Sequence, residues 1–144
     1  VGRFALTLSQ HRCDAFFRVC GDSPLLLPFL FDKAASIYMK SSYDIVTNVF
    51  PRTFPAGMSI ELIRAKTFLE IEKRVIDKEE KEHLTKYFYH HPKDFKIYNI
   101  ECARPTNPDF KLAIDELKDL KRLEAWSLTK GEDYEDLFPI QFVK

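Results

Sequence analysis

Asp14-Ala15-Phe16-Phe17-Arg18-Val19-Cys20-Gly21-Asp22-Ser23-Pro24 is the stretch that decides the fold. Ala15, Phe17 and Val19 alternate with Phe16, Arg18 and Cys20, and both sets are largely apolar, the pattern of a strand covered on two faces. The Gly21-Asp22-Ser23-Pro24 cluster ends the strand as a turn. Pro28 then suits the first turn of a helix reaching about Lys40, with Leu30, Phe31, Ala34, Ala35, Ile37 and Tyr38 at helical spacing. A doubly covered strand feeding a helix is the repeating unit of a layered α/β domain.

Working outward, Val1 to His11 reads as a helix carrying Phe4, Leu6 and Leu8. Tyr43 to Val49 is a second strand. Two prolines and Gly57 make residues 50–57 a loop, because proline removes ladder donors and glycine admits a positive φ. Met58 to Ile63 is a third strand, with Met58, Ile60 and Leu62 opposite Ser59, Glu61 and Ile63. Ala65 to Ile76 follows as a helix, then a D-x-x-E capping box at Asp77 to Glu80 opens another, which presents Leu84, Tyr87, Phe88 and His91 on one face and pairs Glu82 with Lys86. Phe95 to Cys102 and Asp109 to Asp115 alternate as two more strands. Glu116 to about Thr129 is a last helix, with Leu117, Leu120 and Leu123 predicted inward. The sum is an α/β fold: a layered, mainly parallel sheet with helices on both faces and an antiparallel member near Met58 to Ile63.

Composition narrows the function. The 144 residues, 45% hydrophobic, suffice for one core, and 22 basic against 22 acidic side chains leave no excess field to attract nucleic acid or anionic lipid. Cys13, Cys20 and Cys102 are an odd number without a C-x-x-C pair, which argues against a disulfide framework or a zinc site and for a reducing, cytoplasmic setting. The longest apolar run, Leu25 to Phe31, is broken by Pro28 and is too short for a membrane span. No leader opens the chain, and Val1 enters helix-like sequence without a methionine.

In open α/β sheets ligands collect beyond the carboxyl ends of strands, which directs attention to Asp22 after the first strand and Asp115 at the end of the last. Brought together, two such carboxylates form a hard oxygen site suited to Mg²⁺ carrying a nucleotide phosphate. A turn aspartate at 22 and a helix N-cap at 115 are the structural readings of the same residues, and both stand at this stage. Arg18, a cation inside an apolar strand, needs an anionic partner: a bound phosphate or carboxylate, or Asp22 or Asp44. Glu61 reads equally as a ligand contact or a solvated strand residue. His83, His90 and His91 lie at i, i+7, i+8, which is not a chelating spacing. The helices over residues 65–91 offer a homodimer contact or simply core.

Phe17 to Leu25 resembles the R-x-x-G-D-x-P-L segment of the cytidylyltransferase family, which includes acylneuraminate and ketodeoxyoctonate activating enzymes and spore coat polysaccharide biosynthesis proteins. Val46-Thr47-Asn48, the run from Thr53 to Glu61, Glu82 to Phe88, and Leu112 to Leu120 are similar to the last subgroup's S/T-N, T-x-P-x-G-x-x-x-E, E-H-x-T-x-Y and L-x-x-D-x-x-x-D-L elements, in order along nearly the whole chain. The resemblance implies a nucleotide-diphospho-sugar transferase-like fold. It implies transfer of CMP from CTP to a sugar, a 2-keto sugar acid or a relative, with release of pyrophosphate, for surface polysaccharide biosynthesis. It further implies that Asp22 and Asp115 are the catalytic metal ligands for Mg²⁺, that Arg18 lies by the nucleotide or sugar pocket, and that Glu61 faces the sugar; His83, from the residues alone, reads either as a substrate-orienting group or as a packing one. Family members begin with a strand and a basic A-R-x-x-S-x-R-L-P-x-K loop that holds the nucleotide. Nothing of that kind precedes Val1, so residues 1–144 are expected to be the carboxy-terminal two-thirds of a single domain, inactive alone. Two other functions remain compatible with these residues: a non-catalytic binding or assembly domain, and a glycosyltransferase that uses Asp22 for a UDP- or GDP-sugar.

Overall fold

Glu61–Arg64 (β3) runs through the middle of a four-stranded sheet of order β1-β3-β2-β4, flanked by Ala15–Arg18 (β1) and Ile45–Thr47 (β2), with Ile97–Asn99 (β4) beside β2. The computed structural model describes residues 2–75, 84–104, 110–130 and 136–140. β3 pairs antiparallel with both neighbours while β2 and β4 pair parallel, so β1, β2 and β4 share one direction and β3 alone is reversed. The expected antiparallel member is present at the centre of the sheet, so that two of the three pairings are antiparallel and only β2 and β4 pair parallel, where a mainly parallel sheet was expected.

Alternation along the strands builds two layers. Val46, Leu62 and the partly buried Phe17 and Tyr98 face a core shared with Leu27, Leu30 and Ala34 of the helix Pro28–Lys40 (α2) and Leu123 of the helix Leu117–Lys130 (α5). Ile45, Ile63, Phe16 and Ile97 face the other way, against Leu8 of the helix Gly2–Gln10 (α1), Phe68 and Ile71 of the helix Ala65–Arg74 (α3) and Phe88 of the helix Leu84–His90 (α4). On this second face Phe16 meets Phe68 edge-on at 5.2 Å, and Phe4 packs on both. Aromatic pairs of this kind add to simple burial. Among the described residues no helix is long and apolar enough to cross a membrane.

The strands are shorter than the periodicity predicts, and side chains are the reason. Beyond the Thr47–Glu61 rung, the buried Asn48 amide accepts from the Ile60 N–H at 2.9 Å and donates to the Met58 carbonyl at 2.7 Å. The backbone ladder is thereby replaced by one side chain that closes the loop of residues 49–57. Asn99 fixes the same loop from β4, accepting from Phe50 N–H and donating to the Pro51 carbonyl.

Residues 110–114 do not form the expected strand. Leu112 N–H donates to the Ala56 carbonyl at 2.6 Å and Ile114 N–H to the Asp22 carbonyl at 2.8 Å, so the segment is bonded to two loops in turn, and Asp115 follows it without closing a strand. Leu112 and Ala113 are both buried, which reports enclosure, not a ladder. Gly57 permits the arrangement: it has φ +95°, and a Cβ there would lie 2.3 Å from the Ala113 nitrogen and the Leu112 carbonyl carbon. Helix α5 also departs from expectation, with Leu117 at 66% and Leu120 at 37% exposure. Its inward stripe is Asp119, Leu123 and the half-buried Trp126, because Asp119 turns in to cap the backbone at the start of the helix. The capping box at Asp77 to Glu80 and the Glu82 partner expected for Lys86 lie outside the described residues.

The close approach at residue 57 makes a sharp prediction. Gly57→Ala lowers the unfolding free energy by about 2 kcal/mol or more in urea melts, through strain at positive φ and the lost backbone contact. Gly21→Ala, whose added Cβ meets nothing within 4 Å, changes it by less than about 0.5 kcal/mol.

Candidate active site

The last rung of the sheet is polar across all four strands. Arg18 is the register partner of Glu61, Glu61 of Thr47, and Thr47 of Asn99, so four polar side chains line up where β1, β2 and β4 end. Strand alternation puts this row on the α3 and α4 face, because Phe16, Ile63, Ile45 and Ile97 two residues away belong to that layer.

Glu61 is 3% exposed. Its Oε2 accepts from Arg18 Nη1 at 2.5 Å and its Oε1 from the Tyr89 hydroxyl at 2.6 Å. The Tyr89 oxygen also lies 3.0 Å from Thr47 Oγ1, and its ring stacks on Phe50 at 4.9 Å. Burial works against the Arg18 charge, but Glu61, by charge and hydrogen bond, more than offsets it and the guanidinium pKa is raised. Burial, then the charge and hydrogen bond of Glu61, push the Tyr89 phenol well above the ordinary tyrosine range. Neither Asp22 nor Asp44 is the partner of Arg18, and Glu61 is not a solvated strand residue. With both Glu61 oxygens engaged inward, the member of the pair that reaches solvent is Arg18, at 29% exposure.

Asp22 and Asp115 stand at this same edge. The Ile114 N–H to Asp22 carbonyl bond sets their backbones side by side although they are far apart in the chain. Asp22 is exposed in the turn after β1, and its Oδ1 accepts from Ser23 Oγ at 3.0 Å. The Asp115 carboxylate, 60% exposed, pairs with Lys111 Nζ at 2.6 Å. Lys111 bridges on to Asp119 at 3.0 Å, and these two hydrogen bonds raise its pKa. Asp119 Oδ2 also accepts from the N–H groups of Asp115 and Glu116, the reciprocal half of a capping box. The Lys111 hydrogen bond and the Asp115 N–H hold the Asp119 carboxyl well below the usual range. The cap at the start of α5 is therefore made by Asp119, while the Asp115 side chain faces solvent and Lys111.

Carboxylates are the donor type a hard divalent cation takes, and here Lys111 already holds the Asp115 carboxylate. Mg²⁺ is commonly held by one or two carboxylates, with water and substrate phosphate completing the shell. No group of three His, Cys, Asp or Glu that could hold a metal ion gathers among the described residues. His83 lies outside the described residues, while His91 packs on the Tyr87 ring at 4.4 Å. Asn99 and Asp119 carry no site role in the sequence reading, and Tyr89 reads there only as part of a dimer contact or core. Asp119 sat inside the motif quoted for Asp115, and a polar Asn99 ending an apolar strand was a usable signal. Nothing in spacing alone points Tyr89 at Glu61.

The sequence matches no family model. It is 29% identical over 120 residues to an uncharacterized protein of Methanocaldococcus jannaschii, a match that spans 83% of this chain and 48% of that protein. The solved structure of a cytidylyltransferase from Leptospira borgpetersenii serovar Hardjo-bovis is similar with a TM-score of 0.83 at 23% identity, over 89% of this chain and 54% of that one. That likeness shows the fold. The chain thus spans about half the length of each protein it matches.

Two measurements test the buried row. Glu61→Ala leaves Arg18 and Tyr89 without their acceptor and costs about 3 kcal/mol in urea unfolding, with Glu61→Gln intermediate. Because the folded chain retains the Tyr89 proton more tightly than the unfolded chain, this group adds no pH dependence below about pH 10 and removes stability as pH rises beyond it. Denaturation midpoints taken across the alkaline range show that loss in the wild type and a shallower one in Tyr89→Phe.

Proposed function

We propose that this chain is part of a cytidylyltransferase: an enzyme that activates a sugar by moving CMP from CTP onto it, releasing pyrophosphate. The observation that carries the reading is the backbone bond from Ile114 to Asp22, which gathers two carboxylate residues from distant parts of the chain at the carboxyl edge of the parallel strands. Ligands collect at that edge in folds of this kind. Support comes also from the ordered motifs shared with the family and from the fold of the Leptospira cytidylyltransferase. In this reading residues 1–144 are the carboxy-terminal two-thirds of one domain, the acceptor is a 2-keto sugar acid or a related sugar for surface polysaccharide, and the protein works in the cytoplasm as a homodimer.

Asp22 and Asp115 would hold Mg²⁺, which when bound offsets the charge that builds on the reacting phosphates. The chain's own residues supply the positioning. Asp119 caps the backbone before α5 and so holds the Asp115 carboxylate at the edge, with Lys111 beside it as a fixed positive charge. Arg18, oriented from behind by Glu61 and Tyr89, offers a guanidinium to an anionic group of nucleotide or sugar. Preorganised charges of this sort lower a barrier without reorganising at the moment of reaction.

The longest polypeptide that the gene encodes is the form to assay. With CTP, Mg²⁺ and a panel of sugars it releases pyrophosphate, and Asp22→Ala and Asp115→Ala each reduce the rate by roughly 100-fold or more. No release with any sugar, together with no CTP-dependent rise in melting temperature, overturns this reading in favour of a non-catalytic domain. Preferential binding of a UDP- or GDP-sugar overturns it in favour of a glycosyltransferase.

A further inference from the structure

A concavity lies at the end of the sheet opposite the Asp22 edge. Its lining includes Asp14 just before β1, Lys40 at the end of α2, Ser41 and Ser42 between α2 and β2, and Arg64 and Lys66 where β3 passes into α3. Asp22 and Asp115 sit beyond the opposite strand ends. The cavity measures about 640 Å³, within the range of small-molecule sites. A neighbouring hollow of about 490 Å³ shares Lys66 with it and adds Arg12.

The charge of this concavity is unbalanced, in contrast to a chain whose basic and acidic side chains number 22 each. Three cations, Lys40, Arg64 and Lys66, face one carboxylate, Asp14, among the lining residues. Arg64 is already fixed: Nε and Nη2 both donate to the Tyr43 carbonyl, at 3.1 and 2.9 Å, and the guanidinium lies 5.1 Å over the Tyr38 ring. Asp44 stands 3.8 Å from Arg64, but its oxygens also accept from Thr67 Oγ1 and the Lys96 N–H. Lys40 offsets the carbonyl end of α2. Lys66 pairs with no acidic group among the described residues, so it carries the excess charge, beside an Arg64 that Asp44 compensates in part. A guanidinium held in place before the ligand arrives loses little conformational freedom on binding, and the serine hydroxyls add neutral donors.

We infer that this concavity is a second ligand site, which takes a phosphate-bearing small molecule on Arg64 and Lys66, separate from the edge that carries Asp22 and Asp115. The inference goes beyond the proposed reaction and does not depend on it.

Inorganic pyrophosphate is the probe, titrated into the full chain without divalent metal and followed by amide NMR. Saturable shifts are expected at Ser41, Ser42, Arg64 and Lys66. Lys40→Gln/Lys66→Gln, at two exposed positions, weakens the apparent affinity roughly tenfold or more, while Asp22→Ala/Asp115→Ala binds as the wild type does. A parallel titration with a sugar phosphate tells free from ester-borne phosphate by which binds more tightly here. Absence of saturation with either probe, unchanged affinity in the lysine variant, or shifts confined to the Asp22 edge overturns the inference. The last of these outcomes leaves the proposed reaction intact, which keeps the two readings distinguishable.

Discussion

A carboxylate withdrawn from water has to be met on every side, and Glu61 is met by groups from three separate elements. Arg18 reaches it from β1, Tyr89 from α4, and Thr47 of β2 joins through the Tyr89 hydroxyl. Leaving such a charge partly unmatched is expensive, so the relative placement of these elements is strongly constrained. Hydrophobic burial holds the sheet together, but burial is tolerant of small slides. The Glu61 bonds are directional and set the register of the strand ends at the edge where the candidate site lies.

A second constraint acts on the segment before α5. The hydrogen that stands in for a side chain at Gly57 lets Leu112 and Ala113 press against the loop after β2, and the next bond along, from Ile114 to Asp22, ties the same segment to the turn after β1. Asp119 then fixes where the helix starts. The position of Asp115 follows from backbone contacts and one cap, with little contribution from its own side chain, which leaves that carboxylate exposed beside Lys111.

Much of this architecture is legible in the amino-acid order. Two-sided apolar alternation around Phe16 and Phe17, the proline opening α2, and the reversed β3 follow from local patterns that depend on near neighbours. The departures arise where a distant side chain takes over a backbone role. Asn48 ends the β2–β3 ladder early, and enclosure between two loops gives residues 110–114 the appearance of a strand. Asp119 occupies the inward position that Leu117 and Leu120 were expected to fill, because the uncapped N–H groups at the start of α5 outweigh the gain from burying another leucine. At the site, Asp22, Asp115, Arg18 and Glu61 were visible as chemistry-bearing residues, whereas the Arg18 to Glu61 pairing depends on strand register, and Tyr89 on how a helix lies across the sheet.

The polar rung at the sheet's edge belongs to one layer, and the turn bearing Asp22 belongs to the connection into α2 on the other. Whatever rests on this rim touches both halves of the molecule at once, in the way a keystone bears on two arcs. Repacking either interior, even far from the rim, tilts one support relative to its counterpart. Tolerance to change in the two interiors is therefore correlated through the rim they share.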